Sequence, residues 1–178
     1  MSQFTTAVAA VITDPAGRVL MCQQRQGHRW WGLPGGKIHP GESPLHATVR
    51  DICEEMGAEI TLVDLVGLYH LTGTNGSVED DLPDVLVHVF RAKLDGEVTV
   101  NSPSRISRLC WHDVDDLPAP MTPVSRAAVA DASAGRAGML RVVERDAEPD
   151  IPDAIGDSDD EQDAVAASVA AFSAAVTP

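Results

Sequence analysis

Between Gly36 and Ala58 the chain reads GKIHPGESPLHATVRDICEEMGA. Glu42, Asp51, Glu54 and Glu55 fall within this stretch, with Arg50 beside Asp51. Carboxylates grouped this densely are hard oxygen donors, the ligand type that Mg²⁺ takes in octahedral geometry while keeping some of its waters. A diphosphate bridge hydrolyses slowly because its anionic oxygens repel an attacking hydroxide. A divalent cation neutralises that charge and lowers the pKa of bound water. Glu54 and Glu55 are adjacent and can supply oxygens to such an ion. Arg50 can orient neighbouring carboxylates through its planar fork.

These residues need a helix to hold them. Ser43 is a natural N-cap, Pro44 suits the first helical position and Gly57 suits the residue after the last turn. Between them Leu45, Val49, Ile52 and Met56 recur at helical spacing, which predicts one apolar stripe facing the core. Asp51, Glu54 and Glu55 then crowd one polar edge. Ahead of the helix, Gly35-Gly36 lets the backbone pass close to a neighbour. Thr5–Thr13 and Arg18–Arg25 read as strands joined by the turn residues Asp14-Pro15-Ala16-Gly17, hence as a hairpin. Residues 58–71 read as one or two extended pieces, Asp84–Leu94 as the clearest strand and Arg105–Trp111 as another. Asp95-Gly96 marks a tight turn. Thr122–Ala134 reads as a second helix. Residues 136–146 give no clear signal, and Thr72–Leu82 reads as a polar loop.

Gly36, Glu42, Arg50, Asp51, Ile52, Glu54, Glu55, Gly57 and Ala58 together resemble the box of the Nudix hydrolases, G-x5-E-x7-R-E-U-x-E-E-x-G-U with U aliphatic. Seven of the nine defined places match strictly. Chance would give the polar positions roughly once in 10⁵ chains of this length. WWGLPGG before the box and WHDVDDLP after it resemble the family's framing segments, and the likeness runs from about Thr5 to Gly135. The resemblance implies an α/β fold, an alpha-beta-alpha sandwich with a mixed β-sheet. It implies Mg²⁺- or Mn²⁺-dependent hydrolysis of a nucleoside diphosphate linked to another moiety. It adds the carbonyl of Gly35 to Asp51, Glu54 and Glu55 as metal ligands, gives Asp51 a part in catalysis with Glu54, Glu55 and Arg50, and places Glu42 behind them.

Two departures stand out. Asp51 occupies a place where the family carries Glu, one methylene longer. Either Asp51 works through a water, or another acid substitutes, or catalysis is weakened. The segment Ser104–Arg108 carries no acid where many members have one, and Glu79, Asp80 or Asp81 in the preceding loop could replace it. An alternative reading follows, a Nudix-fold module that binds or senses nucleotides with little turnover. An isomerase of isoprenoid diphosphates on the same fold would need a catalytic Cys that the sequence does not identify. No marker of the ADP-ribose, NADH, dinucleoside polyphosphate or coenzyme A subgroups is recognisable. A nucleoside triphosphate or a modified nucleotide is therefore favoured.

On the substrate side, Arg25 resembles a family position that meets phosphates. Trp30 and Trp31 could stack on a base through their indole faces or pack the loop against the core. Tyr69, His70 and His88 read as structural. The chain has 178 residues, 44% of them hydrophobic, and a net charge of −14. That charge repels nucleic-acid phosphates, so the expected partner is a nucleotide-like small molecule rather than nucleic acid. No apolar run reaches membrane-spanning length and no signal peptide is visible, so no membrane partner is expected and the cytoplasm is the default. A homodimer is left open. The odd number of cysteines (Cys22, Cys53, Cys110) excludes a full disulfide framework, and they read as reduced, mostly packed thiols. Residues 1–146 are read as the catalytic domain and 147–178 as an acidic tail held loosely or not at all.

Overall fold

The computed structural model describes residues 5–25, 29–72 and 83–145. The loop acids Glu79, Asp80 and Asp81 and the tail 147–178 lie outside the described residues. The elements run β1 (Thr5–Ile12), β2 (Val19–Gln24), β3 (Trp31–Gly32), β4 (Gly35–Lys37), α1 (Pro44–Met56), β5 (Glu59–Thr72), β6 (Val85–Asp95), β7 (Ile106–His112), α2 (Pro123–Ser133) and β8 (Met139–Glu144). A five-stranded sheet has the order β4-β1-β6-β5-β8, and a three-stranded sheet has the order β3-β2-β7. The larger sheet is mixed. β1 runs parallel to β6 and antiparallel to β4, while β5 runs antiparallel to β6 and parallel to β8.

The larger sheet is covered on both faces, which is why β1 reads as a continuous apolar run rather than an alternating one. Ala7, Ala9 and Val11 face α2 and pack with Val124, Ala128 and Val129. Ala10 and Ile12 face α1 and pack with its Ile52 and Met56, and Val8 meets Ala47 and Phe90 on the same side. This is the expected α/β sandwich.

The expected hairpin forms only at its turn. Asp14 accepts from the amides of Ala16 and Arg18, and a single bridge joins Thr13 to Val19. β2 then leaves for the smaller sheet because both edges of β1 are already taken, by β4 and β6. The 58–71 stretch is one long strand with two bulges. The stretch without a clear signal forms β8.

The ends of α1 follow its sequence. Ser43 Oγ accepts from the amide of His46, and Gly57 adopts a left-handed φ of 61° while its amide bonds Cys53. The apolar stripe is corrected. Ile52 and Met56 are buried, but Leu45 and Val49 are 50% and 40% exposed. The buried face holds Ala47, Thr48, Asp51, Ile52, Glu55 and Met56. The helix has turned two acids inward in place of two aliphatics. Cys22 is buried, whereas Cys53 and Cys110 are exposed, which corrects their reading as mostly packed.

α2 is anchored by a buried carboxylate. Asp131 accepts from Tyr69 Oη at 2.9 Å, from Arg136 at 2.9 Å and from Arg141 through two bonds of 2.5 Å. These donors, Arg141 first, hold its carboxyl well below the usual carboxylate range. One acid thus ties α2 to β5 and β8. Asp131→Asn should lower the unfolding free energy by about 2 kcal/mol, the partly exposed arginines moderating the cost of a broken buried pair. Urea denaturation checks this, and an unchanged midpoint would show that packing alone holds α2.

Candidate active site

The site forms where α1 lies across β4. β4 pairs with β1 through Val8–Gly36 and Ala9–Gly35. A side chain at Gly35, whose φ is 151°, would place its Cβ 2.1 Å from the carbonyl oxygen of Val8. At Gly36 a Cβ would stand 2.7 Å from Asp51 Oδ2. The paired glycines therefore do two jobs. The first lets the strand dock on β1, and the second leaves room for a carboxylate.

Arg50 organises the acids. Its Nε and Nη2 donate to the two oxygens of Glu42 at 2.8 and 2.9 Å, Nη1 donates to Asp51 Oδ1 at 2.7 Å, and Nη2 also reaches the carbonyl of Lys37 at 3.1 Å. Glu54 lies 3.5 Å from Nη1 and is half exposed. The Arg50 bonds hold Glu42 down to about 2. Glu42 thus keeps the guanidinium in place, and the guanidinium fixes one Asp51 oxygen.

Asp51 is fully buried and Glu55 is 5% exposed. Burial pushes Asp51 up to about 6 against the pull of Arg50 and Arg105. Burial pushes Glu55 up to about 8, with Arg105 opposing and the charge of Asp51 adding to the rise. The Gly35 amide also acts on Glu55, lowering it. Asp51 Oδ2 and Glu55 Oε2 are buried without a hydrogen-bond partner. A buried acceptor left unsatisfied costs on the order of 1–3 kcal/mol, more when charged. Two such oxygens on one helix face, one against a strand with no side chain, fit a hard divalent cation in donor type and in charge. Among the described residues no three Asp, Glu, His or Cys side chains already converge as a ligand cluster. Asp51 and Glu55 point inward and Glu54 outward, so the three acids do not crowd one edge as the spacing predicts.

Arg105 escaped the sequence reading. It sits just before β7, and its Nη2 donates to Glu55 Oε1 at 3.0 Å. The visible sign was an arginine in the segment noted only for lacking acids. Arg25 follows β2 directly, with its guanidinium on the carbonyl of Pro103 and its amide on that of Arg105. Trp31 packs against the core and meets His112 edge-on, ring centroids 5.2 Å apart. Trp30 is half-buried beside it. Tyr69 bonds Asp131, His70 bonds Asp84 at 3.0 Å, and His88 contacts the carbonyl of Ala7 at 3.3 Å. No described helix is long and apolar enough to cross a membrane.

Comparison with known proteins agrees with this architecture. A profile of the NUDIX domain matches residues 3–132. A MutT-like protein of Streptomyces ambofaciens is 29% identical over 137 residues, 77% of this chain and 82% of the relative. A Bacillus subtilis protein provisionally named as an 8-oxo-dGTP diphosphatase is 26% identical over 128 residues, 72% of this chain and 79% of the relative. The crystal structure of a MutT NUDIX hydrolase from Burkholderia pseudomallei is 30% identical, with a TM-score of 0.65, covering 72% of this chain and 98% of the other. The matched span contains the glycine pair, α1 and its buried acids, and on these grounds the chain belongs to the Nudix hydrolase family.

Proposed function

We propose that the protein hydrolyses the phosphoanhydride bond of a nucleoside diphosphate linked to another moiety, with a nucleoside triphosphate or modified nucleotide as substrate. The observation that carries this reading is the pair of buried, unpartnered oxygens on Asp51 and Glu55 beside Gly36. Asp51, Glu54, Glu55 and the carbonyl of Gly35 would hold Mg²⁺ or Mn²⁺. A bound cation would neutralise the phosphate oxygens and acidify a water. The chain's own contribution is preorganisation. Arg50, fixed by Glu42 and the Lys37 carbonyl, holds Asp51 Oδ1 and leaves Oδ2 available. Glu54, half exposed at the rim, would be open to an incoming substrate. Water attack on phosphorus then releases a nucleoside monophosphate and the phosphorylated remainder or pyrophosphate.

The rest of the substrate would need a surface to lie on. Past α1, the same sheet face continues over Leu86 and Leu68, cross-strand neighbours of Thr6, His88 and Leu140. Leu140 and Val142 on β8 are 78% and 72% exposed. This apolar face, which runs to the sheet edge opposite β4, would suit the flat base of a nucleoside extended across it. The expected partner is a nucleotide-like small molecule.

The shorter Asp51 and the Arg105–Glu55 pair favour a second reading, a nucleotide-binding module with slow turnover. Turnover of a nucleotide panel with Mg²⁺ or Mn²⁺ decides between them. The hydrolase reading expects release of monophosphate that falls about 10²-fold or more in Glu55→Gln, the scale of a misplaced or missing catalytic group. Phosphate release unchanged by that substitution would defeat the metal assignment. Binding without turnover in the wild type would leave the sensing module.

Gly36→Ala should cost as much as Glu55→Gln, because its Cβ would meet Asp51 Oδ2 at 2.7 Å. Activity within about twofold of wild type would mean that Asp51 does not work from its buried position.

A pH effect follows from the two raised carboxyls. The native state without metal keeps protons that the unfolded chain releases, so their contribution is full below the ordinary carboxylate range. It is lost as pH rises through about 6 for Asp51 and about 8 for Glu55. Urea midpoints should fall between about pH 5 and about pH 8.5, and saturating Mn²⁺ should recover most of the loss. A pH dependence indifferent to Mn²⁺ would remove both acids as ligands.

A further inference from the structure

Arg105 is placed where a cation is expected, and the backbone around it is built to keep it there. The chain from Thr99 to Arg105 closes the C-terminal end of α1. The amides of Thr99 and Asn101 donate to the carbonyls of Met56 and Glu55 at 3.0 and 2.9 Å. Asn101 Nδ2 and Ser102 Oγ donate to the carbonyl of Glu54 at 3.0 and 2.9 Å. The carbonyl of Ser102 then accepts from the amides of Arg105 and Ile106, closing a turn. Helix ends leave such carbonyls without intrahelical partners, so this segment is held by bonds the helix itself requires. The side chain of Arg105 is one-quarter exposed, with its Nη2 on Glu55.

A guanidinium on Glu55 Oε1 and a divalent cation on the same carboxylate repel one another. Like charges this close cost measurable affinity even at the effective dielectric of a protein surface, where solvent screens part of the repulsion. A diphosphate lying between them reverses the sign, because its oxygens accept from the guanidinium while they ligate the metal. We propose that Arg105 opposes metal binding at Glu55 in the free protein and becomes a phosphate-binding group once nucleotide arrives, so that metal and substrate bind together. This rests on the metal reading given above. Arg105 is here a substrate-contacting residue that also gates the metal. The device makes the loaded site conditional on substrate, since metal alone must displace or tolerate the guanidinium and metal with nucleotide need not. Such a coupling is reciprocal, and either ligand can be titrated to measure it.

Two titrations of the full chain test the idea. Mn²⁺ alone is titrated by electron paramagnetic resonance, and a methylene-bridged nucleoside triphosphate analogue is titrated at saturating Mn²⁺ by calorimetry. Arg105→Ala should bind Mn²⁺ about tenfold more tightly than wild type and the analogue about tenfold more weakly, the scale of one charge interaction. A purely structural role would weaken both. Arg105→Lys, which keeps the charge, should restore Mn²⁺ affinity to within about threefold of wild type and recover part of the analogue affinity. It also serves if the alanine variant fails to fold. Mn²⁺ affinity unchanged or weakened in Arg105→Ala, or analogue affinity unchanged, overturns the proposal while leaving the metal reading intact. Wild type that takes up no Mn²⁺ even with analogue present overturns both.

Discussion

The structure depends on how a short helix disposes of two negative charges. α1 buries Asp51 and Glu55 on the face that also carries Ile52 and Met56, so acids and core aliphatics share one side of a single helix. Buried carboxylates are tolerated when paired, hydrogen-bonded or bound to metal. Here Arg50 takes one oxygen of Asp51 and Arg105 takes one oxygen of Glu55, leaving one oxygen on each without a partner. Everything around the site can be read as a response to that half-satisfied state. Glu42 steadies Arg50, the segment after Gly96 steadies Arg105, and β4 gives up two side chains to make space.

The two arginines are fixed in different ways, and the difference bears on function. Arg50 lies on the same helix as Asp51 and is clamped bidentately by Glu42, so it is part of the scaffold. Arg105 comes from another part of the chain and approaches through a turn that caps α1. Its backbone is secured by main-chain bonds while its side chain is committed by one contact to Glu55. An anchored backbone with a singly bonded side chain is the arrangement expected of a group that exchanges partners. The Pro103 carbonyl, which accepts from Arg25, belongs to the same turn.

Much of this was legible in the sequence. Caps, turns and box spacing gave α1 to the residue, because Ser43, Pro44 and Gly57 act locally. The glycine pair announced a close approach, and the strand it docks on was visible as an apolar run. The helix's rotation was not legible. Leu45 and Val49 continue the aliphatic spacing of Ile52 and Met56, and the room left by Gly36 for the Asp51 carboxylate lets the acid face be the buried one. β8 was obscured because its inward positions are Met139, Arg141 and Val143 while Leu140 and Val142 face outward, so alternation cannot be seen. Arg141 takes an inward position of the strand while staying partly exposed, its guanidinium held by Asp131. Likewise the partner of Glu55 lies fifty residues away, a distance that no local pattern spans.

The placement of acids and aliphatics on α1 has a consequence for how the gene can vary. Each residue advances an α-helix by about 100°. One codon gained or lost between Ser43 and Asp51 would swing the helix so that the acids faced water and other positions faced β4. Compensation would then require re-founding both the core and the chemistry at once. Exchange of residues at the exposed positions Leu45 and Val49 leaves the buried face alone, whereas a change of length inside the helix turns that face away from β4.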